Sequence, residues 1–225
     1  MNNTVRIGNQ RISYEQAKEM LFPELIPQKG NEAILSNHPH DKVEDLAVLY
    51  RLEFPSSNAT MKSARVTLEL LDAFGVSAEH MKQDAQENAP KIHPPTFHPL
   101  DEVLSEMMGG LPVPTPGEGQ PKLYVASTEA INRGAGVIAY PNFLQEAWKI
   151  IGGNYFILPS SIHELLFLKD SGGITKQELA EIVHSVNATE VSPQEQLSNH
   201  VYHYDGMYKV FELAEKYEAK QRKVI

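Results

Sequence analysis

The chain has 225 residues, no cysteine and a formal net charge of −9, with 41% hydrophobic and 22% charged residues. That length can bury a core as one large domain or two smaller ones, and the missing thiols exclude disulfides, thiolate metal sites and a cysteine nucleophile. The acidic balance argues against wrapping a phosphate backbone, which needs clustered Lys and Arg, and no apolar run is long enough for a transmembrane helix.

The first residues, MNNTVRIGNQRISYEQ, carry no signal-peptide apolar core, so a cytoplasmic protein is expected. SYEQAKEMLF reads as a short helix with Ser13 as N-cap. LAVLYRLEF, Leu46 to Phe54, is apolar and aromatic enough for a largely buried strand. ARVTLELLDAFG reads as a strand turning into a helix closed by Gly75. SAEHMKQDAQENAPK predicts a surface helix capped by Ser77 and ended by Pro90, with Met81 and Ala85 as its clearest apolar positions. The Pro/Gly-rich stretch Gly109 to Pro121 cannot hold a helix or a central strand. It divides the chain into an N-terminal unit (1–108), a connector (109–121) and a C-terminal unit (122–225).

Beyond the connector, KLYVAST and AGVIAY read as strands. PNFLQEAWKIIGG is a helix with Pro141 at its start, Gly152 at its end and a stripe of Phe143, Leu144, Ala147, Trp148 and Ile151. NYFILPS and HELLFLKD are strands joined by a Pro-Ser-Ser turn. TKQELAEIVHSVNA is a helix with Thr175 and Glu178 at capping-box spacing and Leu179, Ile182, Val183 and Val186 buried. HVYHYDGMYKVFEL predicts a hairpin around Asp205-Gly206 before a helical tail, whose KYEAKQRKVI is the one basic concentration. The expected class is α+β, with a mixed or largely antiparallel sheet, flanking helices and two linked sub-units.

Reactive side chains concentrate in PSSIHELL. As a hydrolase centre, Ser160 or Ser161 would be the nucleophile, His163 its base and Glu164 the orienting acid. Against this, neighbouring side chains of a strand diverge, so His163 and Glu164 point apart. The small-residue nucleophile elbow is absent, and Phe167 stands where a zinc-binding His-Glu-x-x-His helix would place its second histidine. Turn chemistry accounts for the same residues, with serine hydroxyls bonding nearby backbone amides. Three His/Asp groups suggest a metal centre: His38, His40 and Asp41; His93 and His98; His200, His203 and Asp205. None has established ligand spacing, so no cofactor or metal is assigned. NRGAGV and DSGG both lack phosphate-loop spacing. The acidic N-terminal half raises nucleic-acid mimicry, but its carboxylates are spread along helices as a solvated face. These observations favour a binding or interaction module for a protein or small molecule. The alternative is a hydrolase-like or metal-dependent enzyme centred on Ser161, His163 and Glu164.

Four segments, NEAILSNHPHDKVEDLAVLYRLEF, HMKQDAQENAPKIHPPTFHPLDEVL, LYVASTEAINRGAGVIAYPNFLQEAW and YFILPSSIHELLFL…VNATEVSPQEQLSNHVYHYD, resemble a bacterial domain-of-unknown-function family. Its members occur largely in anaerobic gut bacteria, often near mobile elements. LPSSIHE and VNATEVSPQEQLS are the most specific parts. The resemblance implies a relative without implying an activity, since no catalytic residues come with it.

Overall fold

The computed structural model describes residues 3–7, 10–55, 61–113, 117, 121–130 and 132–222. The chain divides into two compact units, Met1–Pro94 with Ala139–Pro141, and Pro95–Ile138 with Asn142–Ile225. Every strand pairing among the described residues is antiparallel, and helices accompany the sheets, so the fold is α+β.

In the first unit a hairpin of β1 (Thr4–Ile7) and β2 (Gln10–Ser13) leads into α1 (Tyr14–Lys18). Ser13 caps α1 in a closed capping box: its hydroxyl accepts from Gln16 N, and Gln16 Oε1 accepts from Ser13 N at 2.9 Å. The helix stops earlier than SYEQAKEMLF suggests because Leu21 already opens β3 (Leu21–Pro27). There follow α2 (Glu32–Leu35), β4 (His40–Val43), β5 (Leu46–Pro55), β6 (Met61–Arg65), α3 (Leu68–Phe74) and α4 (Ala78–Ile92). The expected buried strand is the centre of this sheet. β3 runs along one side of β5, while β4 and β6 share the other side in succession. Pro23 and Pro27 are tolerated in β3 because it is an edge strand, where missing ladder donors cost little.

Strand alternation gives this sheet two different faces. Leu21, Leu25, Leu46, Val48, Tyr50 and Leu52 form one, and α4 packs on β3 with Met81, Ala85 and Ala89 buried at four-residue spacing. Pro90, expected to end this helix, lies inside its last turn. A proline there removes a single backbone donor, and the next bond, His93 N to Ala89 O at 2.8 Å, still forms. The opposite face combines Ile26, Ala47 and Leu49, packed by Ile34 and Leu35 of α2, with the fully buried Glu24. Arg51 Nη1 donates to Glu24 Oε2 at 2.9 Å and Arg65 Nε donates to the same oxygen at 2.7 Å.

The second unit contains β7 (Pro95–Pro99), α5 (Leu100–Met107), β8 (Leu123–Thr128), all but the last residue of a 3-10 helix (Gly134–Ala139), α6 (Phe143–Ile151), β9 (Tyr155–Leu158), β10 (Leu165–Lys169), α7 (Lys176–Thr189), β11 (Tyr202–Asp205), β12 (Val210–Leu213) and α8 (Ala214–Gln221). Its strands lie in the order β12-β11-β9-β10-β8-β7. Because β7 pairs with β8, the Gly109–Pro121 stretch joins two elements of this unit, and the contact boundary falls at Pro94, ahead of that stretch. Residues 114–116 and 118–120 of the stretch lie outside the described residues, as do 223–225 of the basic tail.

One face of the six-stranded sheet carries aromatic rings, Phe97, Tyr124, Phe167, Tyr155 and Tyr204, with Phe143 of α6 set edge-on against Phe97 and Phe167. The other face buries Phe156, Leu158 and Leu168 against Leu179 and Val183 of α7. Both expected helix signals hold: Gly152 closes α6 at φ 74°, and Thr175 with Glu178 makes a capping box on α7. Ile182, expected inside, is exposed, while Asn187 is buried in the next turn.

The expected strand AGVIAY is instead the 3-10 helix. Its first residue is pressed across the end of β8. A Cβ on Gly134 would stand 2.1 Å from Ser127 Oγ and 2.5 Å from His163 O. Ala135 N donates to Ile162 O at 3.2 Å, so the segment crosses over the neighbouring loop and adds no strand to the sheet.

Candidate functional site

The PSSIHE residues occupy the connection between β9 and β10, at the sheet end where β8 also terminates. Ser161 N donates to Glu164 O at 3.1 Å, and His163 N donates to Ser161 Oγ at 3.0 Å, a serine-stabilised turn. Ser127 Oγ in β8 donates to His163 O at 2.8 Å. Ser160 Oγ reaches Glu164 Oε1 only at 3.5 Å. A third segment, after α7, closes the arrangement: Ile162 N donates to Glu195 O at 2.9 Å.

The imidazole of His163 is engaged at both nitrogens. Arg133 N donates to Nδ1 at 3.2 Å, which assigns the ring proton to Nε2, and Nε2 lies 3.3 Å from Glu195 Oε1. The other carboxylate oxygen accepts from Ser192 Oγ at 2.8 Å. The Ser192 hydroxyl first, and His163 second, hold the Glu195 carboxyl below the usual glutamate range. A nucleophile–base–acid relay needs one ring nitrogen on a hydroxyl and the other on an acid. Here the acid is Glu195, with Glu164 elsewhere, the hydroxyl's place is taken by a backbone amide, and Ser161 Oγ serves a backbone N–H. What this chemistry accomplishes is to tie three loops together. Beside the turn, Leu158, Pro159, Ser160, Leu166, Ile182 and Val183 are among the residues lining a hollow of about 30 Å3, room for a single water.

The second candidate group separates into three roles. His203 is fully buried on the α7 side of the sheet, stacked on Tyr217 of α8 at 3.6 Å and edge-on to Phe156. Its Nε2 lies 3.3 Å from Asp170 Oδ2, off the line of a good hydrogen bond, and this neighbour holds the Asp170 carboxyl below its ordinary range. His200 sits at the surface with its Nδ1 3.2 Å from Ser198 Oγ. Asp205 accepts from Met207 N and Tyr208 N and shapes the last hairpin.

In the first unit, His38 and His40 contact carbonyl oxygens, Ile34 O at 2.7 Å and His38 O at 3.0 Å. Asp41 accepts from Tyr50 Oη at 2.9 Å and pairs with Lys82. His93 Nε2 is 3.0 Å from Glu53 Oε2, its ring edge-on to Phe22, whereas His98 is exposed on β7. Among the described residues, no three His, Asp or Glu side chains converge to hold a metal ion. A hollow of about 470 Å3 beside the N-terminus of α4 is lined by Tyr14, Phe74, Ser77 and His80 among others. Tyr14 Oη donates to Asp84 Oδ2 at 2.7 Å, and burial first, then Asp84, pushes the phenol pKa up.

One surface was missed by sequence reading. α5 buries none of its residues, and Leu104, Met107, Met108 and Leu111 are 38%, 79%, 55% and 58% exposed. The turn after α5 is firmly built. Gly109 and Gly110 adopt φ of 72° and 84°, Gly110 N donates to Ser105 O at 2.8 Å, and Ser105 Oγ donates to Leu111 O at 2.9 Å. This return holds Leu111 against the helix end, so apolar side chains are presented to water by specific bonds. The signal was available: Leu100, Val103, Leu104 and Met107 follow helical spacing, with Asp101 and Glu102 in the first turn and Gly-Gly as a stop.

LPSSIHE and VNATEVSPQEQLS, the two segments singled out by resemblance, thus meet in the His163–Glu195 contact. No curated protein and no solved structure matches the chain. The sequence pattern of a family described as a family of unknown function, DUF5688, matches residues 3–206, and the chain belongs to that family.

Proposed function

We propose that the chain is a binding module that engages another protein through the α5 surface. The observation that carries this is the exposure of Leu104, Met107, Met108 and Leu111 on α5 and the turn that follows it, a turn fixed by two left-handed glycines and a serine bond. Exposed apolar clusters of this kind mark interaction sites, since water contact costs free energy that a partner recovers. The hydrolase-like alternative at Ser161, His163 and Glu164 is disfavoured because both imidazole nitrogens are already engaged. The resemblance to proteins of anaerobic gut bacteria encoded near mobile elements supports a bacterial setting. No described helix is long and apolar enough to cross a membrane.

The test is a photo-crosslinking amino acid placed at Met107 in the full chain and irradiated in host extract, with the same group at exposed Lys149 as control. One discrete adduct specific to position 107 is expected. Equal labelling at both positions would refute the proposal, and so would turnover of a defined substrate that vanishes in His163→Ala.

A further inference from the structure

We infer that the partner of the α5 surface presents a basic amphipathic helix; this rests on the docking role proposed above and adds the chemistry of the occupant. The apolar stripe is bordered by acid. Asp101 flanks the Leu104–Met108 edge by helical spacing, and Glu106 with Glu102 flanks the opposite side. Among the described residues none of these three carboxylates forms an ion pair or side-chain hydrogen bond. An apolar stripe with unpaired acidic margins fits a helix that offers apolar side chains at i, i+3, i+4 and i+7 between Lys and Arg residues. Adjacent Met107 and Met108 suit that role, because an unbranched, polarizable side chain adapts to varied apolar shapes.

Charge also ranks the other occupants. A second copy would bring the same acidic margins against each other in a chain of net charge −9. An anionic lipid surface would repel Asp101, Glu102 and Glu106 for the same reason. A basic helix is the occupant that gains from both the apolar burial and the field, and the field speeds its arrival.

The experiment uses the full chain and two fluorescent five-turn peptides of identical Leu pattern, one with Lys and one with Glu on the polar face. The Leu/Lys peptide is expected to bind, more weakly as salt rises. Met107→Asp should weaken it about 10–100-fold, the loss of one buried apolar side chain. Asp101→Asn combined with Glu106→Gln should weaken it about 2–10-fold, as for two partly exposed charge pairs. Melting curves of these variants should match the parent, because Met107 is 79% exposed. If the Leu/Glu peptide binds equally well and Met107→Asp abolishes it, the docking surface stands and the basic partner is overturned. If neither peptide binds, or binding survives Met107→Asp, the docking surface itself fails. Sedimentation showing a dimer dispersed by Met107→Asp assigns the surface to a second copy. Met107-dependent partition onto phosphatidylcholine vesicles assigns it to a bilayer. Either result overturns the inference.

Discussion

Gly134→Ala tests whether the His163 cluster is a mechanical latch. The added Cβ would lie 2.1 Å from Ser127 Oγ, 2.5 Å from His163 O and 2.8 Å from Thr128 N. Ordinary carbon contacts begin near about 3.5 Å, so all three neighbours must retreat. Ser127 can rotate, at the cost of its 2.8 Å bond to His163 O, worth about 1 kcal/mol. The other two atoms are backbone and can move only with β8 and the PSSIHE turn. Overpacking of this kind costs about 1–3 kcal/mol, so the expected loss is about 2–4 kcal/mol. Urea unfolding followed by circular dichroism measures it. Ser127→Ala alone should cost about 1 kcal/mol, and adding it to Gly134→Ala should recover part of the combined loss, because the nearest clash disappears with the hydroxyl. A Gly134→Ala loss under about 0.5 kcal/mol would mean that the three loops are not pressed together, and the latch interpretation would fall.

Three further outcomes follow from the geometry. Glu24→Gln leaves Arg51 and Arg65 around a buried neutral amide and should destabilise the first unit by about 3–5 kcal/mol; a melting temperature within a degree of the parent would contradict it. Gly206→Ala would set a Cβ 2.2 Å from Trp148 Cγ, and Trp148 is the chain's one tryptophan. Its emission should therefore shift to the red as the indole is displaced, and unchanged emission would count against that packing. Asp170 and Glu195 both have folded pKa values below their ordinary ones. Their contributions are present above the unfolded values near about pH 4 and are lost as pH falls through the folded ones, so the urea midpoint should drop on acidification, less so in Asp170→Asn. An acid response identical in Asp170→Asn would remove Asp170 from that account.

Legibility tracked how local each signal is. The N-cap at Ser13, the capping box at Thr175, the helix-closing glycines 75 and 152 and the Asp205-Gly206 turn depend on neighbours within four residues, and each forms as expected. The buried β5 run was equally plain, because a strand covered on both faces is apolar throughout. Among the strands not expected from sequence, β3 and β7 carry two prolines each, which read as breakers until the sheet order makes them edges. AGVIAY failed for the opposite reason. Its apolar composition suited a strand, but a tertiary contact at Gly134 set its path.

The PSSIHE residues show that sequence spacing does not reveal which groups a cluster of polar side chains engages. At the end of a sheet, several backbone N–H and C=O groups lose their ladder partners together, and short polar side chains are the nearest replacements. Ser127 answers His163 O and Ser161 answers His163 N. The imidazole then bridges Arg133 N to Glu195, two positions 62 residues apart in the chain. Neither Glu195 nor Arg133 is local to PSSIHE, so spacing alone assigned the acid to Glu164. The feature that separates a latch from an acid–base centre is whether a ring nitrogen is left for a substrate proton. That depends on Arg133, whose φ of 61° accompanies a backbone amide that donates to the ring. Among the described residues, the polar groups of this turn are engaged in joining three segments of the second unit.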